Sequence, residues 1–193
     1  MSDTPIEAIA IGASSGAVEA VSAILTRLPN DFTVPIFVVV HVPPDRPSAL
    51  VEVFQAKCPL NVSEAEDKEP IESSHVYLAP PDYHLMIESD KRLSLSSEEP
   101  VHYSRPAIDV LFETAADAYG PGLVGIVLTG ANSDGADGLR RIADCGGTPI
   151  VQSPEEAVSP YMPTAAKEAC PAASTMRLDQ IAEYLLNQGQ AND

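Results

Sequence analysis

Along the chain, short apolar runs alternate with stretches whose apolar positions recur at helical spacing. Glu7–Ile11 is a predicted strand. Past the small-residue turn Gly12–Gly16, the positions Val18, Val21, Ala23, Ile24 and Leu28 fall at the spacing of one helix face, and Pro29–Asn30 ends the pattern. Ile36–Val40 is apolar without alternation, which suits a strand covered on both faces. Pro47–Cys58 has helical character, and four β-rich stretches follow, at Leu60–Ala65, His75–Ala79, His84–Glu88 and Arg92–Ser96, with turn residues between them. That middle block is expected to be a hairpin-rich excursion.

Helical spacing returns over Ile108–Tyr119, and Leu123–Thr129 is a third apolar strand, leading through Gly130–Asp134 into a helix over Ala136–Cys145. Gly146–Gly147 breaks that helix before a strand at Thr148–Gln152, and two more helices are expected near Pro163–Ala169 and Leu178–Asn187. The alternation predicts an α/β fold: a doubly wound, mostly parallel sheet flanked by helices, interrupted by a β-hairpin excursion. In such folds functional loops gather at the carboxyl ends of the strands.

Composition narrows the class without changing the fold. The 193 residues are 45% hydrophobic and 20% charged, which fits one globular domain spanning 1–193. No apolar run is long enough to span a bilayer, and the first residues lack the basic-then-apolar pattern of a leader. Cys58, Cys145 and Cys170 are odd in number and widely spaced, so neither a disulfide framework nor a thiolate metal site is expected; a reducing cytoplasm fits. A net charge of -17 opposes binding to nucleic acid or anionic membrane.

Gly12-Ala13-Ser14-Ser15-Gly16 matches G-x-S-x-G between a predicted strand and helix, a setting that pushes a serine hydroxyl outward. The Ser15 N–H, at the helix start, is placed to stabilise a developing oxyanion. The alternatives are a helix cap or a phosphate-binding turn, although the turn fits neither dinucleotide nor P-loop signatures. A serine nucleophile needs a base held by a third group. Of four histidines, His41 ends a strand at the same sheet edge as the turn; a buried histidine bonded to backbone is the alternative. Asp134 follows the third strand and reaches the same edge, where it would accept the Nδ1–H of His41 or cap its own helix. The chain order Ser, His, Asp differs from that of the α/β-hydrolases.

The stretches IGASSGAVEA, PIFVVVHVPP, EAEDKEPI, VYLAPPDYHL, RPAIDVLF and GIVLTGANSDGADGL resemble, in order, motifs of the CheB-type chemotaxis methylesterase domain. The resemblance implies hydrolysis of glutamate γ-methyl esters on chemoreceptor cytoplasmic helices, with methanol released, and deamidation of receptor glutamines. It puts the catalytic triad on Ser14, His41 and Asp134 and implies no metal or organic cofactor. Gly130 and Ala131 fall in the family's oxyanion and substrate wall, where Ala131 replaces the usual methionine. Ala17 replaces a glycine beside the serine turn, which narrows the approach; Ala107 and Ser159-Pro160-Tyr161 also depart from the pattern. Arg105 and Arg46 are the candidates for steering an acidic receptor helix. Receiver-domain sequence usually precedes the family's catalytic domain, whereas here catalytic sequence begins by about Glu7. The expectation is activity without a phosphodonor, or regulation by a separate protein. The competing readings are an esterase or amidase with another substrate and a catalytically silent binding module.

Overall fold

The computed structural model describes residues 4–41 and 49–189. Seven parallel strands form the central sheet. They are β1 (Ala8–Ala13), β2 (Ile36–Val40), β3 (Asn61–Glu64), β4 (His75–Leu78), β7 (Leu123–Val127), β8 (Thr148–Gln152) and β9 (Ser174–Met176), in the spatial order β3-β4-β2-β1-β7-β8-β9. A separate antiparallel hairpin joins β5 (His84–Ile87) to β6 (Leu93–Ser96). The helices are α1 (Ala17–Leu25), α2 (Leu50–Gln55), α3 (Ile108–Tyr119), α4 (Ala136–Asp144), α5 (Tyr161–Ala169) and α6 (Leu178–Gly189).

The sheet is buried on both faces, and its period of two divides the core. Ile9, Ile11 and Ala13 of β1, with Ile36, Val38 and Val40 of β2, pack on the side of α1, α2 and α6. Ala8, Ala10, Phe37 and Val39 point the other way, into a second core with α3, α4 and α5. Complete burial of every residue in β1 and β2 is why these strands read as unbroken apolar runs.

The α/β architecture agrees with the sequence reading, with one redistribution. Leu60–Ala65 and His75–Ala79 supply β3 and β4, which extend the parallel sheet from β2; only the last two of the four β-rich stretches form the hairpin. Alternation alone does not reveal a strand's partner: α2 carries the chain from β2 to β3, and the connection 65–74 then returns it to start β4 parallel to both. The helix expected from Pro47 begins at Leu50, and Pro47 itself lies outside the described residues. The first helix stops at Leu25 rather than continuing to Pro29, and β9 is a short edge strand that the apolar pattern does not signal.

From β1 the chain moves to β2, on to the outermost strand β3 and back to β4 between them, then crosses to the opposite side of β1 with β7, β8 and β9. The reversal falls between β1 and β7. Doubly wound sheets open a crevice at such a point, outside the carboxyl ends of the strands.

Candidate active site

Ser14 follows β1 directly, His41 follows β2, and Asp134 lies seven residues after β7. Register does the first part of the assembly. Ala13 pairs with Val40, so Ser14 and His41 stand side by side one strand spacing apart, about 4.8 Å. The His41 N–H donates to the Ala13 carbonyl at 3.2 Å, and the Ser14 N–H donates to the Thr129 carbonyl at 2.9 Å, tying the serine to both neighbouring strand ends.

Ser14 is half-buried, and its hydroxyl makes no hydrogen bond among the described residues. Gly16 turns the chain into α1 at φ +81, where a Cβ would also stand 2.8 Å from Val158 Cβ. The first glycine of the motif serves packing: a Cβ on Gly12 would lie 2.3 Å from Ile108 Cγ2. Gly135, at φ +94, accommodates the same isoleucine, with its Cβ position 2.8 Å from that methyl. These two glycines let the start of α3 come up against the loop that carries Asp134.

That approach fixes the aspartate. Asp134 is fully buried; Oδ2 accepts the Ile108 N–H at 2.7 Å, and Oδ1 accepts the Asp109 N–H at 2.9 Å. Asp134 therefore caps α3, a helix whose own N-cap, Ala107, offers no side-chain acceptor, rather than the helix it precedes in sequence. Its Oδ2 also lies 2.7 Å from His41 Nε2. The sequence reading expected the Nδ1 side of the ring. With Nε2–H donated to the carboxylate, Nδ1 carries the basic lone pair, and Asn132 Nδ2 lies 3.4 Å from it. Asn132 Oδ1 accepts the Asp134 N–H at 3.1 Å, so this residue touches two of the three predicted catalytic groups.

Thr129 is another residue that motif reading overlooked. Its hydroxyl donates to the Ser15 carbonyl at 2.7 Å and accepts the Ser159 N–H at 2.9 Å, while its own N–H donates to buried Gln152 Oε1 at 2.8 Å. It fastens the serine turn to the ends of β7 and β8. A polar residue at the end of an otherwise apolar strand was the available signal.

The predicted oxyanion groups separate. The N–H groups of Ser15 and Ala131 have no acceptor among the described residues, whereas the Gly130 N–H donates to the Ser159 carbonyl at 3.1 Å. Gly130 is thereby removed as a donor; a Cβ there would sit 2.5 Å from Met162, so its part is steric. Ala17 points into the core on the α1 side, 3% exposed, and does not narrow the approach to Ser14. Ala131 is exposed.

Arg105 lines a cavity of about 160 Å³ beside His41, with Asp82 and Tyr103 also in its wall. Its guanidinium is engaged: Nη2 and Nε donate to Asp82 Oδ1 at 2.6 and 3.1 Å, and Nη1 donates to the carbonyls of Ser97 and Glu98 at 2.9 and 3.0 Å. It fastens the segment above the cavity before it can steer anything. Arg46 lies outside the described residues.

Among the described residues, none of the other three histidines bonds to Ser14, His41 or Asp134. His75 opens β4 at the amino-terminal edge of the sheet, where Ser63 Oγ is 2.8 Å from its Nε2. His84 is buried, accepting the Ala107 N–H at Nδ1 and meeting the Glu99 carbonyl through Nε2. His102 pairs with Asp109 at 3.0 Å. The ligating atoms of His102, Asp109 and Asp134 lie within 4.8 Å of one another, but each carboxylate oxygen already has a hydrogen-bond or ion-pair partner. A cation would have to displace these partners.

Residues 9–185 match the CheB methylesterase family model. The chain belongs to the CheB methylesterase family. A putative protein-glutamate methylesterase/protein-glutamine glutaminase from Leptospira interrogans is 45% identical over 186 residues, covering 96% of each chain. A protein-glutamate methylesterase/protein-glutamine glutaminase from Clostridium acetobutylicum is 36% identical over 96% of this chain but 54% of its own length, so this chain spans about half of that relative. The crystal structure of the Thermotoga maritima CheB methylesterase catalytic domain superposes with a TM-score of 0.90 at 31% identity, covering 95% of this chain and 99% of that one. The parallel sheet and the separate hairpin are thus features of a CheB catalytic domain. No helix among the described residues is long and apolar enough to cross a membrane.

Proposed function

We propose that this CheB-family chain is a cytoplasmic serine hydrolase that demethylates glutamate γ-methyl esters on chemoreceptor cytoplasmic helices and deamidates receptor glutamines. The observation that carries this reading is the 2.7 Å His41–Asp134 contact at the strand end beside Ser14. Asp134 takes the Nε2–H and leaves Nδ1 as the base. Nδ1 removes the Ser14 proton as Oγ attacks the ester carbonyl. The negative charge on the carbonyl oxygen is met by the unengaged N–H groups of Ser15 and Ala131. The imidazolium then protonates the departing methoxide, which leaves as methanol, and Asp134 stabilises the ring while it is charged. Water, deprotonated by the same nitrogen, hydrolyses the acyl-serine to free glutamate and restores Ser14. For a glutamine substrate the leaving group is ammonia. The scheme calls for no cofactor.

The half-buried serine, fully buried aspartate and 12%-exposed histidine side chain support a site that excludes bulk water yet opens at its rim. Free Cys58, Cys145 and Cys170 support a reducing compartment. The test is methanol release from methylated receptor by the unaltered chain and by Ser14→Ala, His41→Ala and Asp134→Asn. Each variant is expected to lose about 10^4-fold or more in turnover. Undiminished release by Ser14→Ala rejects the mechanism.

A further inference from the structure

A second imidazole–carboxylate pair is built against the first. His102 Nε2 lies 3.0 Å from Asp109 Oδ2, and the aspartate side chain is 5% exposed. Asp109 Oδ1 accepts the Gly138 N–H at 2.7 Å, in the first turn of α4. The N–H of the same Asp109 is one of the two that Asp134 caps. The two carboxylates therefore cap each other's helices: Asp134, just before α4, holds the start of α3, and Asp109, in α3, holds the start of α4. Neither helix has a side-chain cap at its own N-cap position, so the exchange satisfies donors that would otherwise be orphaned.

His102 reaches Asp109 from a two-residue turn closed by reciprocal Val101–Ser104 backbone hydrogen bonds of 3.1 and 2.9 Å. Both central residues, His102 at φ +50 and Tyr103 at φ +62, lie in the left-handed region that Asn and Gly normally fill in such turns. Non-glycine residues there are strained, and the His102–Asp109 bond is a contact that holds one of them in place. Tyr103 beside it is fully exposed and borders the cavity next to His41.

We propose that Asp109 and His102 are positioning residues of the hydrolytic centre, a second histidine–aspartate pair, joined to the first through the opening turn of α3, that sets the charge facing His41–Asp134. The inference rests on the hydrolase reading in one respect, that His41 activates Ser14. Asp109 faces Asp134 from the segment entering α4, Asp137 from the first turn of α4 and His102 from the turn; His84 of β5 bonds the adjacent Ala107 N–H, and His41 lies beyond Asp134. Burial raises the Asp109 carboxyl to about 6; the Gly138 N–H opposes this, the Asp134 charge adds to it, His102 relieves it and Asp137 adds slightly. Asp109 thus changes charge close to neutrality. Ionised, it favours the imidazolium that His41 becomes during reaction; protonated, it does not.

The test follows Ser14 sulfonylation by phenylmethylsulfonyl fluoride against pH, in the full chain and in Asp109→Asn, beside methanol release from methylated receptor. Asparagine keeps an oxygen for the Gly138 N–H and loses the charge. The acid limb of the labelling rate is expected to move to lower pH by about one unit. In the esterase assay kcat falls about tenfold with KM little changed, as expected when transition-state charge stabilisation is lost. A second readout needs no variant: the imidazole resonances of His41 and His102, followed by NMR, share an inflection from Asp109. An unmoved labelling profile, or two independent single-site NMR curves, overturns the inference. Ser14 labelling without methanol release would instead overturn the receptor-esterase reading and leave this inference standing.

Discussion

Replacing Asp134 should damage stability and catalysis together, whereas replacing Ser14 should damage catalysis alone. In Asp134→Ala the N–H groups of Ile108 and Asp109 lose acceptors at 2.7 and 2.9 Å, in a place where the aspartate was fully buried. An unsatisfied buried donor costs about 1–3 kcal/mol, and a lost cap about 1 kcal/mol of the same kind. Two such donors and the vacated His41 partner give a loss of about 3–5 kcal/mol. For a chain of this length each kcal/mol moves Tm by about 2–4 °C, so a fall of roughly 10 °C is expected. Asp134→Asn keeps one oxygen but presents an NH2 to another donor, and should lose about half as much stability. Its amide also favours the ring tautomer with Nδ1 protonated, which disables the base. Ser14→Ala removes a hydroxyl with no hydrogen bond among the described residues, so Tm should stay within about 2 °C while turnover is lost. Thermal unfolding and methanol release on the same three preparations decide the matter. An Asp134→Ala protein as stable as the unaltered chain would refute the capping argument.

Gly12→Ala drives a methyl to within 2.3 Å of Ile108 Cγ2, so urea unfolding should show a loss of about 1–3 kcal/mol, and slower turnover should follow as α3 is pushed from Asp134. Thr129→Val keeps the shape but strips the hydroxyl bonds to Ser15 and Ser159; a loss of about 1–3 kcal/mol and a lower kcat are expected, and unchanged kinetics would show that the serine turn holds without it. The pH dependence of stability carries a definite sign. Asp109 has a folded value raised from 3.8 to about 6, so its contribution is greatest below the lower value and is lost as pH rises through the upper one. Asp109→Asn should therefore gain stability over the native chain as pH goes from 4 to 7, by at most about 3 kcal/mol; a gain that does not grow with pH would contradict the assignment.

Much of the fold was legible because burial on both sheet faces leaves unbroken apolar runs. Ile36–Val40 and the range of α3, Ile108–Tyr119, agree with the sequence pattern to the residue. The pattern failed where partner choice mattered. Leu60–Ala65 and His75–Ala79 look like hairpin strands, but strand character comes from local side chains and pairing comes from the crossover. β9 is three residues with little apolar content, so it exists only because β8 offers an edge.

At the site, the chain alone placed Ser14, His41 and Asp134 near one another, since each follows a strand whose carboxyl end must lie on the same edge of a parallel sheet. Which ring nitrogen meets Asp134, that Asp134 caps α3 instead of its own helix, and that Gly130 spends its N–H on Ser159 were decided by tertiary structure. Those outcomes depend on distances between elements far apart in sequence. The Ala17 question was settled in the same way, because the side a helix turns to the core depends on what packs against it. Sequence periodicity specifies which face an element buries; only the packed whole specifies which donor finds which acceptor, because a hydrogen bond exists or fails within a few tenths of an ångström.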